Sequence, residues 1–197
     1  MRTIGRAVDR ILCLLPFETD FYERHGVHAS FVGHPLADQL PLDPDRATAR
    51  RALGLEPDGE VFALLPGSRI GEVERLAGPF LDAAKAIAAR RPQACFVAPM
   101  ASSGTRRVFE RVAAAAGAPP VRIVDGDAHR VLAAADAAIV ASGTATLETL
   151  LSKRPMVVAY RVSGLTAFLL RRLRLIKVPY FSQPNLLVLY GDRKSVV

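Results

Sequence analysis

Short apolar runs recur along the chain, and helical patterns lie between them. The runs are continuous rather than alternating, which is typical of parallel strands covered on both faces. Strands and helices that alternate in this way form βαβ units, so the sequence predicts an α/β fold with a parallel sheet. The predicted strands are Arg10–Pro16, Ala29–Gly33, Val61–Gly67, Ala94–Met100, Val121–Gly126, Ala137–Gly143 and Met156–Arg161.

The helical patterns give five further predictions. The uninterrupted helices are Phe80–Arg91, Ser103–Ala116, Ala128–Ala135 and Thr144–Leu151. An apolar stripe continues upstream of Phe80 but contains Gly78–Pro79. Because proline is tolerated best in the first turn of a helix, we predict a short helix Glu72–Ala77 and a second helix that begins near Pro79.

The distribution of these elements predicts an incomplete two-domain chain. Residues 1–37 hold two predicted strands and one helix, which is too little for a domain and indicates the remnant of one. Residues 38–45 are rich in proline and acid and predict a linker. Residues 46–187 predict a second, larger domain, and residues 188–197 an atypical tail.

Composition narrows the class of protein and of partner. The chain of 197 residues is 50% hydrophobic and 23% charged, as in folded globular proteins. Its net charge of +7 favours an anionic partner: nucleic acid, a membrane surface or a phosphorylated ligand. No basic run is interleaved with aromatic residues, which disfavours nucleic acid. Cys13 and Cys95 lie in apolar runs and predict reduced thiols, so we expect a cytoplasmic protein without a metal cluster.

Two predicted strands end in turns suited to an anion. Pro66–Arg69 places a glycine, a serine and an arginine where a helix begins, and free N–H groups there favour negative charge. Each charge-assisted hydrogen bond from Arg69 is worth about 1.5–3 kcal/mol. The alternative is a capping Ser68 beside a surface arginine.

The second turn, Ala141–Glu148, reads ASGTATLE and also opens a helix. Its small residues allow a ligand to approach the backbone, Ser142, Thr144 and Thr146 supply hydroxyls, and Glu148 has the reach to accept from two sugar hydroxyls. It lacks the lysine of a P-loop. A capped helix with a surface glutamate is the alternative.

Other candidates carry less information. Met100 and Asp125–Asp127 end further strands at the same predicted sheet edge, and Asp127 is interpreted as a helix cap. His34 and Asn185 are isolated polar residues, for which a structural role competes with a functional one. Leu165–Lys177 predicts a basic amphipathic helix, suited either to an anionic membrane surface or to packing on its own domain.

Several of these stretches together resemble the lipid A disaccharide synthases, glycosyltransferases of the GT-B fold. The matching stretches are LPFE (Leu15–Glu18), VGHPLAD (Val32–Asp38), LLPGSR (Leu64–Arg69), EVERL (Glu72–Leu76), SGTATLE (Ser142–Glu148), MVVAYR (Met156–Arg161) and PNLL (Pro184–Leu187). LLPGSR is specific in combination with SGTATLE, and the stretches span nearly the whole chain.

The resemblance implies two Rossmann-like domains that face a cleft. One binds a lipid acceptor, and the other holds the UDP of the donor. The implied reaction joins UDP-diacylglucosamine to diacylglucosamine 1-phosphate in a β-1,6 linkage, with inversion and release of UDP, and needs no metal or cofactor. It implies catalytic roles for Arg69 and Asn185. The implied substrate-binding residues are Gly67, Ser68, Met100, Ser142, Gly143, Thr144, Ala145, Thr146 and Glu148.

The resemblance also implies a fragment. Most of the acceptor domain, with its general base, is absent, and residues 188–197 depart from the family pattern. The expected location is the inner face of the bacterial inner membrane, with an anionic membrane surface as partner, no nucleic acid, and a homo-oligomer left open. Two alternatives stay open: another enzyme that uses UDP-GlcNAc, either a peptidoglycan GlcNAc transferase or an epimerase, and a non-catalytic nucleotide-binding module.

Overall fold

The structure, a computed structural model, describes residues 2–161 together with residues 182, 184 and 185. The elements in chain order are α1 (Arg2–Ala7), β1 (Ile11–Cys13), α2 (Pro16–Glu23), β2 (Ala29–Phe31), α3 (Pro35–Gln39), α4 (Arg46–Ala52), β3 (Val61–Leu65), α5 (Ile70–Arg90), β4 (Cys95–Met100), α6 (Ser103–Ala116), β5 (Val121–Asp125), α7 (Ala128–Ala134), β6 (Ala137–Ala141), α8 (Thr144–Leu151) and β7 (Met156–Ala159). The predicted α/β class with a parallel sheet is confirmed.

The main sheet has five parallel strands in the order β5-β4-β3-β6-β7. From the central strand β3 the chain moves outward through β4 to β5, and then returns to the other side of β3 to form β6 and β7. This is the doubly wound order, and its direction reverses between β3 and β6. In such sheets ligands bind outside the carboxyl ends of the strands at the reversal.

Both faces of the central strands are covered, which explains why their runs are continuously apolar. Ala63 and Leu65 pack on one side, in the cluster that contains α4 and α7 residues. Leu64 points to the opposite side and packs with α5 and α6. These three residues are buried, so none of them can be polar without a hydrogen-bond partner.

The prediction of two helices separated at Gly78–Pro79 is wrong, because α5 runs unbroken through Pro79. Proline cannot donate to the carbonyl of Arg75, four residues earlier, and an internal proline costs about 3 kcal/mol. Here Nη1 of Arg161 donates to that carbonyl at 3.5 Å. Phe80 and Leu81, directly after the proline, are completely buried. Burial of two such side chains contributes about 1.5–3 kcal/mol each, which offsets the interruption.

The first 40 residues form a smaller unit in which β1 and β2 pair in parallel. The sequence predicted one helix in this part, but the structure has α1 as well as α2; α1 is short and mostly exposed, so it has no apolar stripe to reveal it. Helix α3 extends to Gln39, across the start of the predicted linker 38–45. The division into domains stays a prediction.

An ion pair between the buried Arg50 and the half-buried Asp136, whose side chain is 30% exposed, joins α4 to the sheet. The Arg50 side chain is 1% exposed; its Nη2 donates to Oδ2 of Asp136 at 2.8 Å and its Nε to the carbonyl oxygen of Ala134 at 3.0 Å. The same Oδ2 accepts from the backbone N–H of Val61 at 2.8 Å, and Arg46 pairs with the other carboxylate oxygen. Asp136 therefore ties α4 to the beginnings of β3 and β6.

The two cysteines are free thiols, with Cys13 buried and Cys95 half-buried. Burial raises the pKa of the Cys95 thiol, which disfavours the nucleophilic thiolate. The assignment of both as reduced, structural thiols stays a prediction. Within the part of the chain that the structure describes, no helix combines the length and apolar character needed to cross a membrane.

Candidate functional site

A cavity of about 440 Å³ opens at the carboxyl edge of the sheet, where β3 and β6 end. The loops after β3, β4, β5 and β6 all contribute to its wall, as expected for the reversal point of a doubly wound sheet. Nine residues predicted from sequence line it: Gly67, Ser68, Arg69, Met100, Ser142, Gly143, Thr144, Ala145 and Glu148. The predicted convergence of these loops is therefore observed.

The turn after β3 is shaped around the carboxylate of Glu72. Gly67 has a φ of +125°, and a Cβ there would lie 2.6 Å from both Cβ and Oε2 of Glu72. Only glycine meets both conditions. The backbone N–H groups of Ser68 and Arg69 donate to Oε2 of Glu72 at 3.1 and 3.3 Å.

The side chain of Arg69 extends from this turn into solvent at the cavity. Its Nη1 donates to Oε1 of Glu72 at 3.0 Å, and its side chain is 83% exposed against 30% for Glu72. The guanidinium has five N–H donors, so its bond to Glu72 leaves others for a ligand. Sequence reasoning did not assign Glu72 to the site. The available signal was its place three residues after Arg69 at a helix start, where capping glutamates occur.

The turn after β6 presents the first turn of α8 to the cavity. Gly143 has φ 155° and ψ −160°, a conformation that is essentially restricted to glycine. The backbone N–H groups of Thr144 and Ala145 have no acceptor among the described residues. The N–H and the hydroxyl of the buried Thr146 both donate to the Gly143 carbonyl, at 3.1 and 2.7 Å. Thr146 thus supports the turn from behind, and its predicted contact with substrate stays a prediction.

Glu148 lies one turn further along α8 at the wall of the same cavity. Its side chain is 19% exposed, and Nε2 of His129 on α7 lies 3.6 Å from its Oε2. His129 was not singled out from the sequence, because its partner is 19 positions away along the chain.

Of the remaining sequence candidates, Gly126 and Asp127 also line the cavity, whereas His34 and Asn185 are not among its lining residues. Nδ1 of His34 accepts from the N–H of Leu36 at 3.2 Å, so this histidine caps α3. Asp127 caps α7 by accepting from the N–H of Arg130, as predicted. Asn185 is exposed, its backbone N–H donates to Oγ of Ser182 at 3.4 Å, and it is not among the residues that line the cavity. The predicted helix Leu165–Lys177 lies outside the described residues.

The cavity combines N–H donors suited to an anion with three acidic side chains, those of Glu72, Asp127 and Glu148. It offers the exposed guanidinium of Arg69 and the N–H groups of Thr144 and Ala145 at one helix N-terminus. The described residues include no group of three or more His, Cys, Asp or Glu placed to hold a metal ion. The arrangement is suited to binding a phosphate or diphosphate through N–H donors.

Comparison with known proteins agrees with the resemblance drawn from the motifs. Residues 1–192 match the family model of lipid-A-disaccharide synthetase. The chain is 54% identical over 184 residues to the lipid-A-disaccharide synthase of Pseudomonas aeruginosa, 53% identical over 190 residues to that of Alkalilimnicola ehrlichii, and 53% identical over 184 residues to that of Pseudomonas syringae.

These alignments cover 93–95% of this chain but only 48–49% of each relative. The chain therefore spans about half the length of the curated relatives it matches. The family match extends over nearly every residue, including both turns at the cavity. The chain belongs to the lipid-A-disaccharide synthetase family.

Proposed function

We propose that this chain carries the UDP-binding part of an inverting glycosyltransferase of lipid A biosynthesis. The full reaction would join UDP-diacylglucosamine to diacylglucosamine 1-phosphate and release UDP and lipid A disaccharide 1-phosphate. The observation that carries the proposal is the cavity itself, which is lined by Arg69, by the N-terminus of α8 and by Glu148. The names of the relatives, lipid-A-disaccharide synthase, support the choice of reaction.

The diphosphate binds at the N-terminus of α8 and beside Arg69. The N–H groups of Thr144 and Ala145 supply two donors on the positive end of the helix. The guanidinium of Arg69 adds a mobile positive charge. These groups would stabilise the negative charge that develops on the diphosphate as it leaves the sugar, and this is how binding becomes catalysis.

The ribose binds beside Glu148. This carboxylate lies one helical turn, about 5 Å, beyond the N-terminus of α8, which is the spacing between a diphosphate and the ribose hydroxyls. A carboxylate accepts from two vicinal hydroxyls at once.

The lipid parts of the substrates direct the enzyme to a membrane surface. Acyl chains leave a bilayer at a cost of about 0.8 kcal/mol per CH₂, so the reaction must occur where they are embedded. The net charge of +7 supports attraction to anionic headgroups on the inner face of the inner membrane. Asn185 is the second catalytic residue of this proposal. The general base comes from the part of the relatives that this chain does not match.

Calorimetric titration of the 197-residue chain with UDP tests the nucleotide site. We expect binding of equal affinity in the presence and absence of EDTA, since the diphosphate donors are N–H groups and a guanidinium. Uridine should bind more weakly because it lacks the diphosphate. A strict requirement for magnesium, or equal affinity for UDP and uridine, would contradict the proposed site.

Replacement of Glu148 by glutamine is expected to weaken UDP binding by about tenfold, the value of one hydrogen bond to a charged group. Inorganic pyrophosphate, which has no ribose, should bind the variant as it binds the native chain. Glu74→Gln is the matched control, because it makes the same charge change on the exposed face of α5. Equal losses for UDP and pyrophosphate would remove Glu148 from the ribose site.

A further inference from the structure

We propose that the carboxylate of Glu72 is an internal substitute for a phosphate group. It competes with bound diphosphate and so shortens the lifetime of the UDP complex. This inference rests on the proposed UDP site. It assigns a role in product release to a residue whose position at the start of α5 would otherwise indicate a simple helix cap.

The contacts of Glu72 are those that a phosphate would make at the same turn. Its Oε2 accepts from two consecutive backbone N–H groups, those of Ser68 and Arg69, and its Oε1 accepts from the Arg69 guanidinium. Paired N–H donors at a helix N-terminus together with an arginine are the usual components of a phosphate site. The carboxylate thus occupies the donors that the β3 turn offers to an anion.

The backbone is built to admit this carboxylate. A side chain at position 67 would overlap both Cβ and Oε2 of Glu72 at 2.6 Å, and the φ of +125° at Gly67 independently favours glycine. The glycine is therefore required for the approach of Glu72 as well as for the shape of the turn. The carboxylate caps the turn through Oε2 and pairs with the guanidinium of Arg69 through Oε1.

Glu72 lines the same cavity as the N-terminus of α8. A diphosphate held there by Arg69 comes close to the Glu72 carboxylate, and the two anions repel. Arg69 cannot neutralise both fully, so Glu72 weakens the complex while it restores the turn as the diphosphate leaves. In a reaction whose product is UDP, exchange of one anion for the other favours product release.

The test compares Glu72→Gln with the native chain, with UDP and uridine as ligands. The glutamine amide oxygen still accepts from a backbone N–H, but its charge is gone. We expect UDP affinity to rise by a factor of about 3–10, mainly through slower dissociation, which is the value of one charged hydrogen bond discounted for exposure. Uridine affinity should not change. Glu74→Gln, with the same change of net charge, should leave both affinities unchanged.

The outcomes separate this inference from the proposed site. If the native chain binds UDP and a folded Glu72→Gln binds it equally or more weakly, the role of Glu72 is wrong and the UDP site stands. If neither protein binds UDP, both are wrong. Glu72→Ala is the second variant: if both substitutions prevent folding, as judged by melting curves, Glu72 is a structural cap and the inference is overturned.

Discussion

Replacement of Asp136 by alanine is expected to lower the free energy of unfolding by about 3–5 kcal/mol, because it leaves a buried guanidinium without its counter-ion. Arg50 is 1% exposed and cannot turn its charge toward water. The N–H of the buried Val61 loses its acceptor in the same step. Such a loss is a large fraction of the stability of a domain this size.

Urea denaturation followed by circular dichroism measures the change. Asp82→Ala is the control, because Asp82 pairs with Lys85 on the exposed side of α5 and such pairs contribute less than about 1 kcal/mol. Replacement of Arg50 by methionine together with Asp136→Ala should recover much of the loss, since no buried charge is then unpaired. Similar losses for Asp82→Ala and Asp136→Ala would show that the pair contributes only as a surface contact.

Replacement of Arg69 by alanine is expected to cost about 2–3 kcal/mol of UDP affinity, or roughly 30–150-fold in Kd. Two effects have the same sign: the diphosphate loses its guanidinium partner, and the carboxylate of Glu72 loses the charge that neutralised it. The fold should be unaffected, since the Arg69 side chain is almost fully exposed and the Glu72 bonds to the backbone remain.

Titration calorimetry with UDP and uridine resolves this effect. Arg107→Ala removes the same charge from an exposed position on α6 that does not line the cavity. We expect that variant to bind UDP nearly as the native chain does, and uridine to bind all three proteins alike. A loss shared by Arg107→Ala would indicate a general effect of net charge rather than a contact.

The parts of the fold that could be predicted from sequence are those determined by residues close together along the chain. Continuous apolar runs require burial on both faces, and glycines at the ends of β3 and β6 require special backbone, so the sheet and both turns at the cavity were predictable. The unbroken α5 was not, because the carbonyl left by Pro79 is satisfied by Arg161, which lies 86 positions beyond Arg75. Tertiary contacts of this kind override local propensity.

The candidate site shows the same division. Gly67, Arg69 and Gly143 were recognisable because a turn between a strand and a helix can be read locally. The contact between His129 and Glu148 depends on how α7 and α8 are placed by the sheet, and the Arg50–Asp136 pair joins residues 86 positions apart. Glu72 was missed for another reason: its sequence signature is that of a cap, and only the geometry shows the guanidinium on its second oxygen.

The strand order also determines when the cavity can form during folding. β3, α5 and β4 are consecutive, so they can associate early, whereas β6 must come from far along the chain to pair with the other edge of β3. The two glycine turns lie on opposite sides of that last seam. A ligand bound to both turns therefore links β3 to β6 across their pairing. The free energy of ligand binding therefore adds to the free energy needed to separate β6 and β7 from the rest of the sheet.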